Sequence, residues 1–141
     1  MRYSVDFSRA ITGPDGHQIT EVLGLRTTDT ERYSVAHVVV PASSKGTTRT
    51  NRFDEVLLII QGNGVIEEGG RQFPVSAGDV FHLPARMAYA THNPNDEPLA
   101  FWAICVPAFR PEWSVSSDAS TDWRSREMPR GADRLRMAGN Q

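Results

Sequence analysis

Cysteine is almost missing from this chain and histidine is scarce, with one of the first and four of the second in 141 residues. A single cysteine excludes both an intrachain disulfide framework and a thiolate zinc site built by one chain. Long apolar runs are missing as well. Nothing approaches the roughly twenty residues of a membrane span, and residues 1–6 hold no apolar stretch of signal-peptide length. Nor is charge of one sign in excess, since the net charge is −2, which gives no reason to expect nucleic acid or an anionic membrane as a partner. These absences predict a soluble, cytoplasmic protein whose partner is a small molecule. Cys105 lies in the apolar run 99–106 and reads as a buried, inert thiol.

What is present is a series of strands and turns. Residues 33–40, 53–60, 80–83 and 99–106 are short runs rich in β-branched and aromatic side chains, too short for core helices. Gly13-Pro14-Asp15-Gly16, Gly62-Asn63-Gly64, Gly69-Gly70 and Asn93-Pro94-Asn95-Asp96 separate them, supplying positive φ or a fixed proline φ where the chain reverses. Many short strands at regular spacing predict a single all-β sandwich or barrel. Residues 1–111 form that domain. Residues 112–141 form a polar C-terminal extension, its first part docked through Trp113 and Trp123 on the barrel or on a partner subunit, and the rest from Arg124 disordered.

One spacing carries more information than the rest. Glu55 is followed after six residues by Gly62, and Gly78-Asp79 leads across a five-residue gap to Pro84, then to Tyr89 and Asn93. This ladder resembles the two motifs of the cupin family, G-x5-H-x-H-x3/4-E-x6-G and G-x5-P-x-G-x2-H-x3-N. The resemblance implies a double-stranded β-helix of jelly-roll type with a pocket between its sheets, and frequent dimerisation, here as a homodimer. In that family two early histidines, the glutamate and a late histidine hold a divalent metal. Here the glutamate is Glu55, the late histidine position reads Tyr89, and the early pair reads Thr48 and Thr50, or Arg49 and Asn51 in the shorter register. Spacing from Tyr33 to Glu55 is also similar to that of the ectoine synthases, a cupin branch without the paired histidines. Hydroxyls and amides are weak ligands for first-row metals, so no cofactor is expected. A divalent metal held partly by Glu55 is the alternative.

The remaining polar groups suggest proton chemistry. By family position Glu55 points into the pocket with Leu57 and Ile59, and a carboxyl among apolar neighbours has its charged form disfavoured, which suits it to act as general acid or base near neutrality. Tyr89 offers a phenol to a substrate oxygen, and His37, on one face of its strand with Tyr33, Val35 and Val39, becomes the proton shuttle if that face is the inner one. The candidate catalytic residues are therefore Glu55, Tyr89 and His37. For substrate contact the commoner family spacing selects Thr48 and Thr50, and the other register supplies Arg49 as an anion clamp. Phe81 and Leu57 complete the expected wall. His82 and His92 are assigned outward or to the rim, and His17 is assigned to an exposed turn. The expected function is that of a small biosynthetic isomerase, lyase or cyclase. The alternatives are a noncatalytic binding or structural module, or a metal-dependent cupin with an atypical ligand set.

Overall fold

A computed structural model of the chain describes residues 1–117. Trp123 and the segment from Arg124, with the docking and disorder expected of them, lie outside the described residues. Two antiparallel sheets face each other across a shared interior. The larger runs in the order β1 (Ile11–Thr12), β2 (Gln18–Leu23), β3 (Ser34–Val40), β10 (Leu99–Val106), β5 (Asp54–Gln61) and β8 (Val80–Leu83). The smaller runs β11 (Ser114–Ser116), β4 (Arg49–Asn51), β9 (Tyr89–His92), β6 (Asn63–Glu68) and β7 (Arg71–Ser76). Among the described residues the helical content is two 3-10 turns, Phe7–Arg9 and Pro111–Trp113. This is the jelly-roll barrel that the motif resemblance implied, built from the strands that the spacing predicted.

Alternation along each strand decides what lies inside. On β10, Leu99, Phe101, Ala103 and Cys105 face inward, and on β5 Leu57 and Ile59 join them. With Val38, Val40, Ile66, Val75 and Leu83 they form the buried core. The turns are set by glycine where the chain has no room for a side chain. Gly62 has φ +81 between β5 and β6, and a Cβ there would run into the Pro98 carbonyl oxygen.

Asn93 fastens one end of the barrel. Its side chain is fully buried, with Nδ2 donating to the carbonyls of Val40 (3.3 Å), Pro41 (3.2 Å) and Glu97 (2.8 Å), while Oδ1 accepts from the Asn95 N–H at 3.1 Å. One amide thus joins the end of β3 in the large sheet to the chain leaving β9 in the small sheet. Asn93→Ala strips those carbonyls of their donor inside the protein, and denaturant titration should show a loss of roughly 3 kcal/mol.

Past the 3-10 turn at Pro111–Trp113 the chain adds β11 to the edge of β4, and the Arg110 guanidinium lies 5.0 Å from the centre of the Trp113 ring. The outer face of the large sheet is apolar: Val56, Leu58, Ile60, Val80, Trp102 and Ile104 share it, with Val80 66% and Ile60 46% exposed. We propose that a symmetric partner covers this face. Light scattering at micromolar concentration is expected to report twice the chain mass.

Candidate functional site

The two sheets leave a cavity of about 120 Å3 between them. That volume holds on the order of ten water molecules. Glu55, Leu57, Tyr89, Arg49 and Asn51 line it, together with Glu21 from β2 and His17 from the β1–β2 turn. Thr48, Thr50, His37 and Phe81 are not in the wall.

Each placement follows from strand phase. Arg49 and Asn51 are buried, at 7% and 4% exposure, whereas Thr50 between them is exposed. The threonine register is therefore corrected to the arginine and asparagine register, because the inward phase of Glu55, Phe53 and Leu57 continues backwards through Asn51 to Arg49. Arg49 pairs with Tyr89 across the β4–β9 ladder. His37 is corrected to the outer face of β3: Ser34, Ala36 and Val38 line the cavity, and the imidazole packs edge-on against Phe7 at 5.0 Å and Trp102 at 5.3 Å. Burial there pushes its pKa down. Phe81 points inward but packs on Phe73 and the core beyond the cavity. His82 is exposed. His92 accepts the Gly46 N–H on Nδ1 (3.0 Å), so its Nε2 donates to Glu67 at 3.1 Å.

Glu55 sits at the centre of the polar wall. Asn51 Nδ2 lies 3.4 Å from Glu55 Oε1 and 3.3 Å from the Tyr89 hydroxyl, and the Cys105 thiol points at Glu55 Oε2 from 3.7 Å. Burial outweighs the lowering effect of the Cys105 thiol and the Tyr89 hydroxyl and pushes the Glu55 carboxyl up to about 7. The same burial, with the neighbouring Glu55 charge, raises the Tyr89 phenol well above its ordinary 10 and raises the Cys105 thiol as well. Tyr89 is therefore a hydrogen-bond donor at any ordinary pH. Cys105 is buried, as expected, but it contacts the central carboxyl.

Among the cavity residues that escaped the sequence reading are His17, Glu21 and Arg26. His17 was assigned to an exposed turn, yet the alternation of Ile19 and Glu21 on β2 carries back to it and turns it inward. A hydrogen bond from the Gly13 N–H to the His17 carbonyl (2.7 Å) closes that turn, and Asp15 ties it to β4 by accepting the Thr47 N–H at 3.0 Å. Burial lowers the His17 pKa. Arg26 comes from the loop after β2, which folds over Gly24. Glu21 Oε2 accepts there from the Arg26 N–H and the Thr27 hydroxyl, both at 3.0 Å, and a Cβ on Gly24 would stand 2.6 Å from Glu21 Oε1. No composition or spacing signal points to Arg26, because only the folded loop delivers it.

The divalent metal that the motif resemblance implies does not fit these residues. Its four positions hold a guanidinium, an amide, a carboxyl and a phenol whose phenolate form burial disfavours. Among the described residues no group of three His, Cys, Asp or Glu side chains could hold a metal ion. The guanidinium also repels a cation.

Comparison with known proteins agrees with the fold. The cupin domain family matches residues 36–107, and the chain belongs to that family. A Myxococcus xanthus protein named endoribonuclease YbeY is 34% identical over 104 residues, which are 74% of this chain and 35% of that protein. The chain thus spans about a third of that relative. Among solved structures, plu4264 of Photorhabdus luminescens superposes with a TM-score of 0.64 at 24% identity, covering 75% of this chain and 86% of that one. Pac13 of Streptomyces, solved with uridine and described as a nucleoside dehydratase, gives a TM-score of 0.64 at 19% identity, covering 83% of this chain and 90% of that one. At these identities the two structures share the fold.

The raised Glu55 pKa has a consequence for stability. Below pH 4.5 the folded and unfolded chains both hold the proton; between 4.5 and about 7 only the folded chain does, so stability falls as pH rises and then stays level. The total is on the order of 3 kcal/mol. Thermal melts should find Glu55→Gln more stable than the parent at pH 8 and indistinguishable from it at pH 4.

Proposed function

We propose that this cupin is a small enzyme that isomerises, cyclises or eliminates water from a small organic molecule by proton transfer, with Glu55 carrying the proton. The observation that supports this reading most is the Glu55 carboxyl at about 7 in the cavity wall, beside the Tyr89 phenol that burial keeps protonated. A group with that pKa is present in both protonation states near neutrality, so it can take a proton from carbon and return one within a single turnover. The cavity wall suits the other half of the task. Arg49 and the Tyr89 hydroxyl, on paired residues of β4 and β9, face the space where an oxyanion would form, and fixed donors aimed at developing negative charge lower its energy most when water is excluded. The apolar side chains of Ile19, Val38, Leu57 and Phe101 supply that exclusion.

Elimination is the first of the three reactions to test, because the structurally similar Pac13 is described as a dehydratase. A second reading, a noncatalytic small-molecule binder, draws support from polar atoms in the wall that have no partner within the protein. One experiment separates them. The purified protein is incubated in heavy water with a panel of small hydroxy and oxo compounds, uridine included, and mass spectrometry follows deuterium gain or loss of water. We expect turnover of at least one compound, with Glu55→Gln slowing it about 10²–10⁴-fold and Tyr89→Phe about 10²-fold. A rate unchanged in Glu55→Gln would exclude Glu55 as proton carrier, and binding without any turnover would establish the second reading.

A further inference from the structure

Three side-chain atoms in the described residues are shut off from solvent and have no hydrogen-bond partner: His17 Nε2, Arg26 Nε and Asn51 Oδ1. All three belong to residues that line the one cavity described above. Buried polar atoms are almost always paired, and each unpaired one costs about 1–3 kcal/mol. Three coinciding at a cavity wall point to a missing ligand more than to three independent defects.

Their chemistry restricts what that ligand is. Arg26 Nε–H can only donate, and as part of a guanidinium it makes its strongest hydrogen bond to an anionic oxygen. Asn51 has Nδ2 directed at Glu55 and Tyr89, which leaves Oδ1 as an acceptor in need of a donor. His17 Nε2 can donate or accept according to tautomer. The ligand therefore carries an anionic acceptor and a hydroxyl. Its size is limited to on the order of ten non-hydrogen atoms by the cavity volume, and its carbon skeleton meets Ile19, Val38 and Phe101.

We propose that the cavity is built for a small hydroxycarboxylate whose carboxylate is held at Arg26 Nε and whose hydroxyl donates to Asn51 Oδ1. In naming a substrate class for the same cavity we rest on the enzyme reading above. Burial raises the pKa of both cavity carboxyls, Glu55 and the Glu21 that neighbours Arg26, so each repels such an anion less than an ordinary carboxylate would. The orientation brings the hydroxyl-bearing carbon beside Glu55, since Asn51 contacts both.

Isothermal titration of the full chain tests this with two matched sets: lactate, propionate and lactamide, then β-hydroxybutyrate, butyrate and β-hydroxybutyramide. In at least one set the hydroxycarboxylate should bind about tenfold or more tightly than both its deoxy and its amide counterpart. Asn51→Leu should erase the preference for the hydroxyl, and Arg26→Met the preference for the carboxylate, with folding checked by circular dichroism. Equal affinity within both sets, or no binding in either, would overturn the proposal using the unsubstituted protein alone. Preferences that survive in both folded variants would overturn it too. The enzyme reading fails separately: hydroxycarboxylate binding that obeys these preferences, without Glu55-dependent turnover of any compound, removes catalysis and leaves the ligand class standing. Glu55-dependent turnover confined to other classes does the reverse.

Discussion

The buried amide of Asn93 is the constraint on which the arrangement of the two sheets depends. Its contacts hold the end of β3 against the chain leaving β9, and a hydrogen-bonded exchange with Ser44 closes the same corner. β3 belongs to one sheet and β9 to the other, so this corner fixes how far apart the sheets stand and where β9 ends. Tyr89, four residues earlier, inherits its position from that corner, and Arg49 inherits its position from Tyr89 through the β4–β9 pair. The cavity lies between the sheets fastened in this way, with Glu55 and Tyr89 side by side in its wall.

Within that interior, burial and hydrogen bonding oppose each other at Glu55. Asn51 and Cys105 direct donors at the carboxyl, yet desolvation prevails and raises its pKa. The site gains a group that exchanges protons near neutrality at the expense of stability above that pH. A cupin pocket with Arg49 among its central residues in place of a histidine cannot recruit a cation as its electrophile, but it keeps a fixed positive charge in the same neighbourhood. Metal chemistry and guanidinium chemistry both favour an anionic oxygen, which is why one barrel can serve either.

The motif ladder made the fold and the central carboxyl legible in the sequence, since turn glycines, Asn93 and Glu55 act through local geometry that spacing records. The register of β4 was also recorded, in the alternation from Leu57 back through Glu55, Phe53 and Asn51, although family spacing pointed to the threonines. For His37, alternation gave the right companions, Val35 and Val39, and the wrong side of the sheet. Period two says which residues share a face, and only the packing of Phe7 and Trp102 on that face says it is the outer one.

What the sequence by itself determined was therefore the set of strands, their turns, the family and the single carboxyl at the pocket's centre, because each is fixed by neighbours a few residues away. Tertiary structure alone decided that His17 and Arg26 join that carboxyl, and that Asn51 reaches both Glu55 and Tyr89. Those residues come from two loops and a short strand whose closeness depends on how the sheets stack and how the turns after β1 and β2 bring their residues into the cavity wall. No local pattern encodes that closeness.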